Sequence, residues 1–223
     1  MSQGCERAKE WRRIAAREAY GATLREARER WQIEDYPANY RWTHVQAVVR
    51  LALRLAELTG ADREVVEAAA WLHDCAKKGK DDDHGRAGSI KAREILRMTD
   101  FPEGKVESVV DAISKHVGLW VEEPVEPLEA AVLWDADKLS KLGVSSAMQD
   151  IGYWVMVQRG PVDALPAAMA EQDWRKKTVA SFHTEPARVA GRKRLAAQQA
   201  FWQRVEIELG GDDLAVSKIL GED

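Results

Sequence analysis

Two cysteines, Cys5 and Cys75, are all the chain carries, and they suggest no disulfide framework. Cys5 stands near a terminus and Cys75 directly follows a His–Asp pair, a usage that fits a reducing compartment. Long apolar runs are missing as well. No stretch of about 18 apolar residues exists, so no membrane span is predicted. The N-terminal MSQGCERAKEWRR lacks the apolar stretch of a signal peptide, and the chain is expected to be soluble and cytoplasmic. A basic excess is also absent. The formal charge is −4, which argues against a non-specific nucleic-acid partner. The short basic runs at Arg175, Lys176, Lys177 and at Arg192, Lys193, Arg194 sit among acidic or apolar residues and read as solvated helix faces. Strand alternation is hard to find, and the glycines fall mostly between periodic segments.

What the chain does have is core material in helical phase. Hydrophobic residues reach 45%, so disorder is not the default, and 223 residues fit one large domain or one domain with extensions. The expected fold class is all-α. A charged helix is predicted over 6–32, with a loose stripe of Trp11, Ala15, Tyr20, Leu24, Ala27 and Trp31. Pro37 breaks it. Helical spacing of Val45, Val48, Val49, Ala52, Leu55 and Ala56 predicts a helix over 43–58, ended by Gly60, with Asp62 as cap of a short apolar helix over 63–76. Further helices are predicted over 84–98, 105–116 and 128–142. A loop with two prolines spans 118–127, and three helices are predicted over 145–209. The last begins after Thr184, with Pro186 in its first turn. Residues 1–35 read as an N-terminal extension, 36–145 as the core, 146–209 as helices packed on it and 210–223 as a polar tail.

Four of the five histidines lie between positions 44 and 116. One histidine on an apolar helix face is usually a hydrogen-bonded core residue. Here His44 shares a face with Val48 and Leu55, His73 with Ala69 and Ala70, and His116 with Val109 and Ile113. Gly88 leaves room beside His84. Several imidazoles buried beside the carboxylate of Asp74 are costly unless something compensates, and a divalent metal is the simplest compensation. Imidazole and carboxylate without thiolate suit Mn, Fe, Co, Ni or Zn, and Mg stays among the candidates. Asp135 and Asp137, in LWDADKL, are the next ligand candidates. Periodicity does not separate them, because both share helix faces with apolar residues. Cys75 reads as a core residue.

The segments YRWTH (40–44), AAWLHDCAK (69–77), HGRAGS (84–89), AISKH (112–116) and LWDADKL (133–139) together resemble the HD superfamily of metal-dependent phosphohydrolases. The resemblance covers about residues 36–145, and TEPARVAGRKR (184–194) is similar to the C-terminal part of stand-alone members. It implies an HD-domain helical bundle with metal held between helices. By position, His44, His73, Asp74 and Asp137 would be ligands of a first metal, and Asp135 would orient a ligand or a water from behind. His84 and His116 occupy the places of two histidines that bind a second ion in some members, with Asp74 bridging. Lys77 stands where some phosphodiesterase members contact substrate phosphate, with Lys78 or Lys80 as substitutes, and Lys138 is a second phosphate candidate.

The implied activity is hydrolysis of a phosphate ester or anhydride of a nucleotide or nucleotide-like small molecule. Asp74, Lys77, His84 and His116 are the catalytic candidates; either histidine, if not a ligand, can protonate the leaving group. HDCAKKG and HGRAGS are similar to two-metal dinucleoside polyphosphate hydrolases. LWDADKL and the C-terminal helix look more like stand-alone members that cleave nucleoside triphosphates or have no assigned substrate. A non-catalytic module that uses the same pocket to hold a nucleotide is the alternative. Trp120 and Trp154 are candidates to stack on a base, set against a packing role. No signature of a particular oligomeric state is present.

Overall fold

The charged N-terminal segment forms α1 (Gln3–Trp31) in the computed structural model, which describes residues 3–37, 39–78, 83–170 and 174–214, with side chains from residue 10 onward. Asn39 then starts α2 (Tyr40–Thr59) by accepting the Trp42 amide, and Gly60 ends it at φ 80°, a conformation open to glycine at no steric cost. Asp62 accepts the amides of Glu64 and Val65 and so opens α3 (Arg63–Leu72). Next come α4 (His84–Arg97), α5 (Val106–Ser114) and α6 (Leu128–Leu139). After these, α7 (Val144–Tyr153) runs into a π turn, Trp154–Gln158, and α8 (Leu165–Ala170), α9 (Trp174–Ala180) and α10 (Glu185–Gly210) complete the set. The described residues contain no strand, and the protein is all-α. No helix among them is long and apolar enough to cross a membrane.

Helices α2, α3, α5 and α6 pack on one another, with α4 against α5 and α1 across α3 and α2. The alanines of α3, Ala68, Ala69 and Ala70, are fully buried and let its neighbours approach closely. Every residue of α6 from Ala130 to Leu139 is buried, the mark of a central helix. Its two aspartates and its lysine therefore lie inside the protein and must find partners there. Helix α10 packs on α6 and on α7 to α9.

Several sequence expectations change here. Helix α3 stops at Leu72, so His73 and Asp74 lie in a turn after the helix and not within it. That turn frees both side chains from the 100° spacing of helical neighbours. Helix α6 ends at Leu139, and the described residues after Gly143 form four α-helices where three were expected. On α1 the buried face holds Trp11, Ala15, Ala19, Ala22 and Ala27, while Tyr20 is exposed. Small side chains face the core because α1 lies close against α2 and α3. Arg175 is buried, not solvated. Its guanidinium meets Asp150 at 3.1 Å, and that ion pair offsets its desolvation. Cys5, Lys80 and residues 215–223 of the expected tail lie outside the described side chains and residues.

Candidate metal centre

Helices α2, α4 and α6, with the turns after α3 and α5, bring His44, His73, Asp74, His84, His116 and Asp137 to one place; α5 stops at Ser114, so His116 lies just past the helix that was expected to carry it. His44 projects from α2, and its Nδ1 lies 2.9 Å from Ser140 Oγ. Ser140 donates its single proton to the Asp137 carbonyl oxygen at 2.7 Å, so His44 Nδ1 carries the hydrogen between the two side chains. His73 Nδ1 donates to the Ala70 carbonyl at 2.8 Å, and His116 Nδ1 to the Ile113 carbonyl at 2.6 Å. Burial drives the His44 pKa down to about 3 and that of His116 to about 4, so each ring holds one proton near neutral pH. With that proton on Nδ1, the Nε2 atoms of His44 and His116 present lone pairs inward, and His73, whose Nδ1 donates to Ala70, turns its Nε2 to the same place.

Those lone pairs converge on each other and on carboxylates. His44 Nε2 lies 3.4 Å from His73 Nε2 and 3.2 Å from Asp137 Oδ1. His73 Nε2 lies 3.5 Å from Asp74 Oδ2, while His84 and His116 present Nε2 to Asp74 Oδ1 at 3.7 and 3.6 Å. His116 Nε2 is buried and has no hydrogen-bond partner among the described residues. Lone pairs facing lone pairs, with no proton between them, are what a divalent cation compensates, and the donor set is one such an ion accepts. Two trios satisfy the geometry. His44, His73 and Asp74 offer atoms all within 4.8 Å of one another, as do Asp74, His84 and His116. Asp74 belongs to both.

Burial alone would raise the pKa of Asp74 and of Asp137. Lys77 and Arg41 outweigh it at Asp74, and Lys138 and Lys141 at Asp137, so both stay well below the usual carboxylate range. Lys77 Nζ lies 3.5 Å from both Asp74 oxygens and reaches the cleft. Lys138 does not stand free for a phosphate. It is fully buried, with Nζ 2.5 Å from Asp137 Oδ2 and 2.6 Å from the His116 carbonyl oxygen. It braces two candidate ligands. Lys141, one turn from Asp137 and partly exposed, approaches Asp137 Oδ1 at 2.7 Å from the cleft.

Asp135 is not at this site. Its carboxylate accepts the His183 amide at 2.9 Å and both the amide and hydroxyl of Thr184 at 2.7 Å. Asp135 and Asp137 are two residues apart and point about 200° apart on the helix. In a helix buried all round, one therefore faces the cluster and the other the start of α10. Thr184 is the N-cap of α10, so Asp135 hangs that helix on α6. Asp135→Ala is expected to lower stability by about 1–3 kcal/mol, because it strands buried donors, while bound metal is retained. Thermal unfolding and metal analysis of the variant check this. Metal loss at constant stability would put Asp135 back beside the ligands.

Arg41 is a participant that the sequence reading missed. It lies three residues before His44 on the same face of α2 and is buried. Its Nη2 donates to Asp74 Oδ2 in a short contact, and its Nε donates to Glu26 Oε2 of α1 at 3.0 Å. Glu26 is held in turn by Arg30 at 2.9 Å. Helix phase would have placed Arg41 inside; nothing local pointed to Glu26.

Residues 41–142, a span that includes every candidate ligand, match the HD domain family. It is 33% identical over 85 residues to a tRNA (cytidine(56)-2'-O)-methyltransferase of Thermoplasma volcanium. That match spans 38% of this chain and only 23% of the relative's length. Solved structures share the fold across most of both chains. A predicted HD superfamily hydrolase from an uncultured Thermotogales bacterium superposes with a TM-score of 0.59 at 22% identity, covering 88% of this chain and 91% of that one. Bacillus subtilis YpgQ in complex with ADP does so with a TM-score of 0.59 at 19% identity, covering 87% and 96%.

Proposed function

We propose that the chain is a metal-dependent phosphohydrolase acting on a nucleotide or nucleotide-like small molecule. The observation that carries this is the convergence of Nε2 lone pairs and carboxylates, without intervening protons, at the wall of an open cleft. On this reading His44, His73, Asp74 and Asp137 hold one divalent ion, and Asp74, His84 and His116 a second. Such an ion supplies a Lewis acid for a phosphoryl oxygen and lowers the pKa of a coordinated water from 15.7 to about 7. The residues of the chain do the rest. The Nδ1 hydrogen bonds of His44, His73 and His116 fix which ring nitrogen faces the ion. Lys77 and Lys141 approach the site from the cleft, where they offset charge that builds on the phosphoryl oxygens. Lys138 keeps Asp137 ionised inside the core. YpgQ, of the same fold, holds ADP, which supports a nucleotide as the ligand class.

The test is phosphate and pyrophosphate release from nucleoside mono-, di- and triphosphates by chelator-stripped protein, reloaded in turn with Mn, Fe, Co, Ni, Zn or Mg. Turnover is expected with at least one of these metals and none in the stripped protein. Tight nucleotide binding with no turnover under any metal would instead indicate a binding module.

A further inference from the structure

The cleft that holds the metal cluster has a second, aromatic end. Trp31 closes α1, Tyr40 opens α2 and Tyr153 closes α7, and the three rings meet there. Trp31 and Tyr40 stack with 5.7 Å between centroids and 29° between planes. Tyr153 meets both edge-on, at 6.4 and 5.9 Å. Gly152 permits the approach of α7, since a Cβ there would lie 3.2 Å from Tyr40 Cβ. Gln149, one turn before Tyr153, adds an amide to the same wall.

Rings that only seal a helix junction lie out of water, as Trp11 and Phe101 do where they pack edge to face. Trp31, Tyr40 and Tyr153 are only partly buried, and they line a cleft of about 710 Å³ together with Asp74, Lys77 and Lys141. That volume is in the range of small-molecule sites. One end offers cations and metal ligands, the other a half-exposed aromatic surface and an amide. The two ends together match a molecule that joins phosphate to a flat aromatic ring system. The tryptophans first considered for stacking are placed otherwise. Trp120 lies under the Lys177 ammonium at 4.9 Å, and the Trp154 indole donates to the Pro161 carbonyl at 2.7 Å.

We infer that Trp31, Tyr40 and Tyr153 form the base subsite of a nucleotide whose phosphates lie at the metal cluster, with Gln149 at the edge of the base. The phosphate end of this assignment rests on the hydrolase reading above. Stacking is indifferent to base identity, since every base has a π face, so discrimination among bases should be weak.

The experiment compares the unaltered protein with Tyr153→Ala, Trp31→Leu and the ring-preserving Tyr153→Phe, all metal-loaded. Binding of ADP and of pyrophosphate is measured by equilibrium dialysis, and turnover of a nucleoside triphosphate and of inorganic tripolyphosphate alongside. The preference for the nucleotide over its base-free counterpart is expected to fall about 10- to 100-fold in Tyr153→Ala and Trp31→Leu, and to survive in Tyr153→Phe. An equal loss for both ligands would make the rings structural and overturn the assignment. So would an unaltered protein that binds ADP no better than pyrophosphate. A nucleotide preference that drops in the variants, in a protein that turns over neither substrate, would keep the subsite and remove the hydrolase reading.

Discussion

Asp74→Ala is expected to reduce metal-dependent hydrolysis at least about a thousandfold, a loss of about 4 kcal/mol of transition-state stabilisation. The reason is the place of Asp74 in both trios, its Oδ2 facing His44 and His73 and its Oδ1 facing His84 and His116. One substitution therefore weakens every arrangement of ions the cluster can hold. His73→Ala should fall as far, because its Nε2 has no substitute among the described side chains near His44. His84→Ala is the informative contrast. It touches only the second trio, so it should leave one ion in place if the trios bind separately. Metal analysis beside phosphate release reads both effects. Full activity in Asp74→Ala and His73→Ala would remove this cluster from the chemistry.

Arg41→Ala should cost about 3–5 kcal/mol of stability in the metal-free protein, measured by urea unfolding. Arg41 is buried between Asp74 and Glu26, both of which are buried as well. Its removal leaves Lys77, at 3.5 Å, as the lysine or arginine paired with Asp74 among the described residues, while Glu26 keeps Arg30. Arg41→Lys should recover only part of the loss, since one ammonium cannot fork between two carboxylates as a guanidinium does. Metal loading should narrow the gap between Arg41→Ala and the unaltered protein, because an ion bound to the folded state takes over the charge of Asp74. A cost under about 1 kcal/mol would show that the pair behaves like a surface salt bridge.

His44, His73 and His116 were legible because each lies at the end of an apolar stripe, and the stripe says which way it points. His44 needed only helix phase and the cost of burying imidazole, while His73 and His116 lie just past the ends of α3 and α5, where the stripe before them still gives the direction. Asp137 was harder. On α6 every face is inside, so phase cannot choose between Asp135 and Asp137; the choice is made by what packs against each side, α10 on one and the cluster on the other. Glu26 was not legible at all. Its partner Arg41 stands 15 residues on, in another helix, and a charged residue on a charged helix carries no local mark of burial. The aromatic end of the cleft escaped for the same reason. Trp31, Tyr40 and Tyr153 come from the ends of three helices, and the packing of α1 and α7 on α2 joins them. On α1, Tyr20 looked like core and Ala19 did not, because bulk in a sequence suggests burial while close helix contact selects small residues.

The hook between Asp135 and Thr184 and the chain from Glu26 through Arg41 to Asp74 have a joint consequence. The matched segment, 41–142, holds every candidate ligand, yet one brace reaches it from before its start and the other from beyond its end. Excised at those borders, it would keep its donors and lose the carboxylate that holds Arg41 against Asp74 and the helix that steadies α6. In this protein the HD segment is not a portable cassette, and grafting it into another chain would require new flanks that present a carboxylate to Arg41 and a helix cap to Asp135.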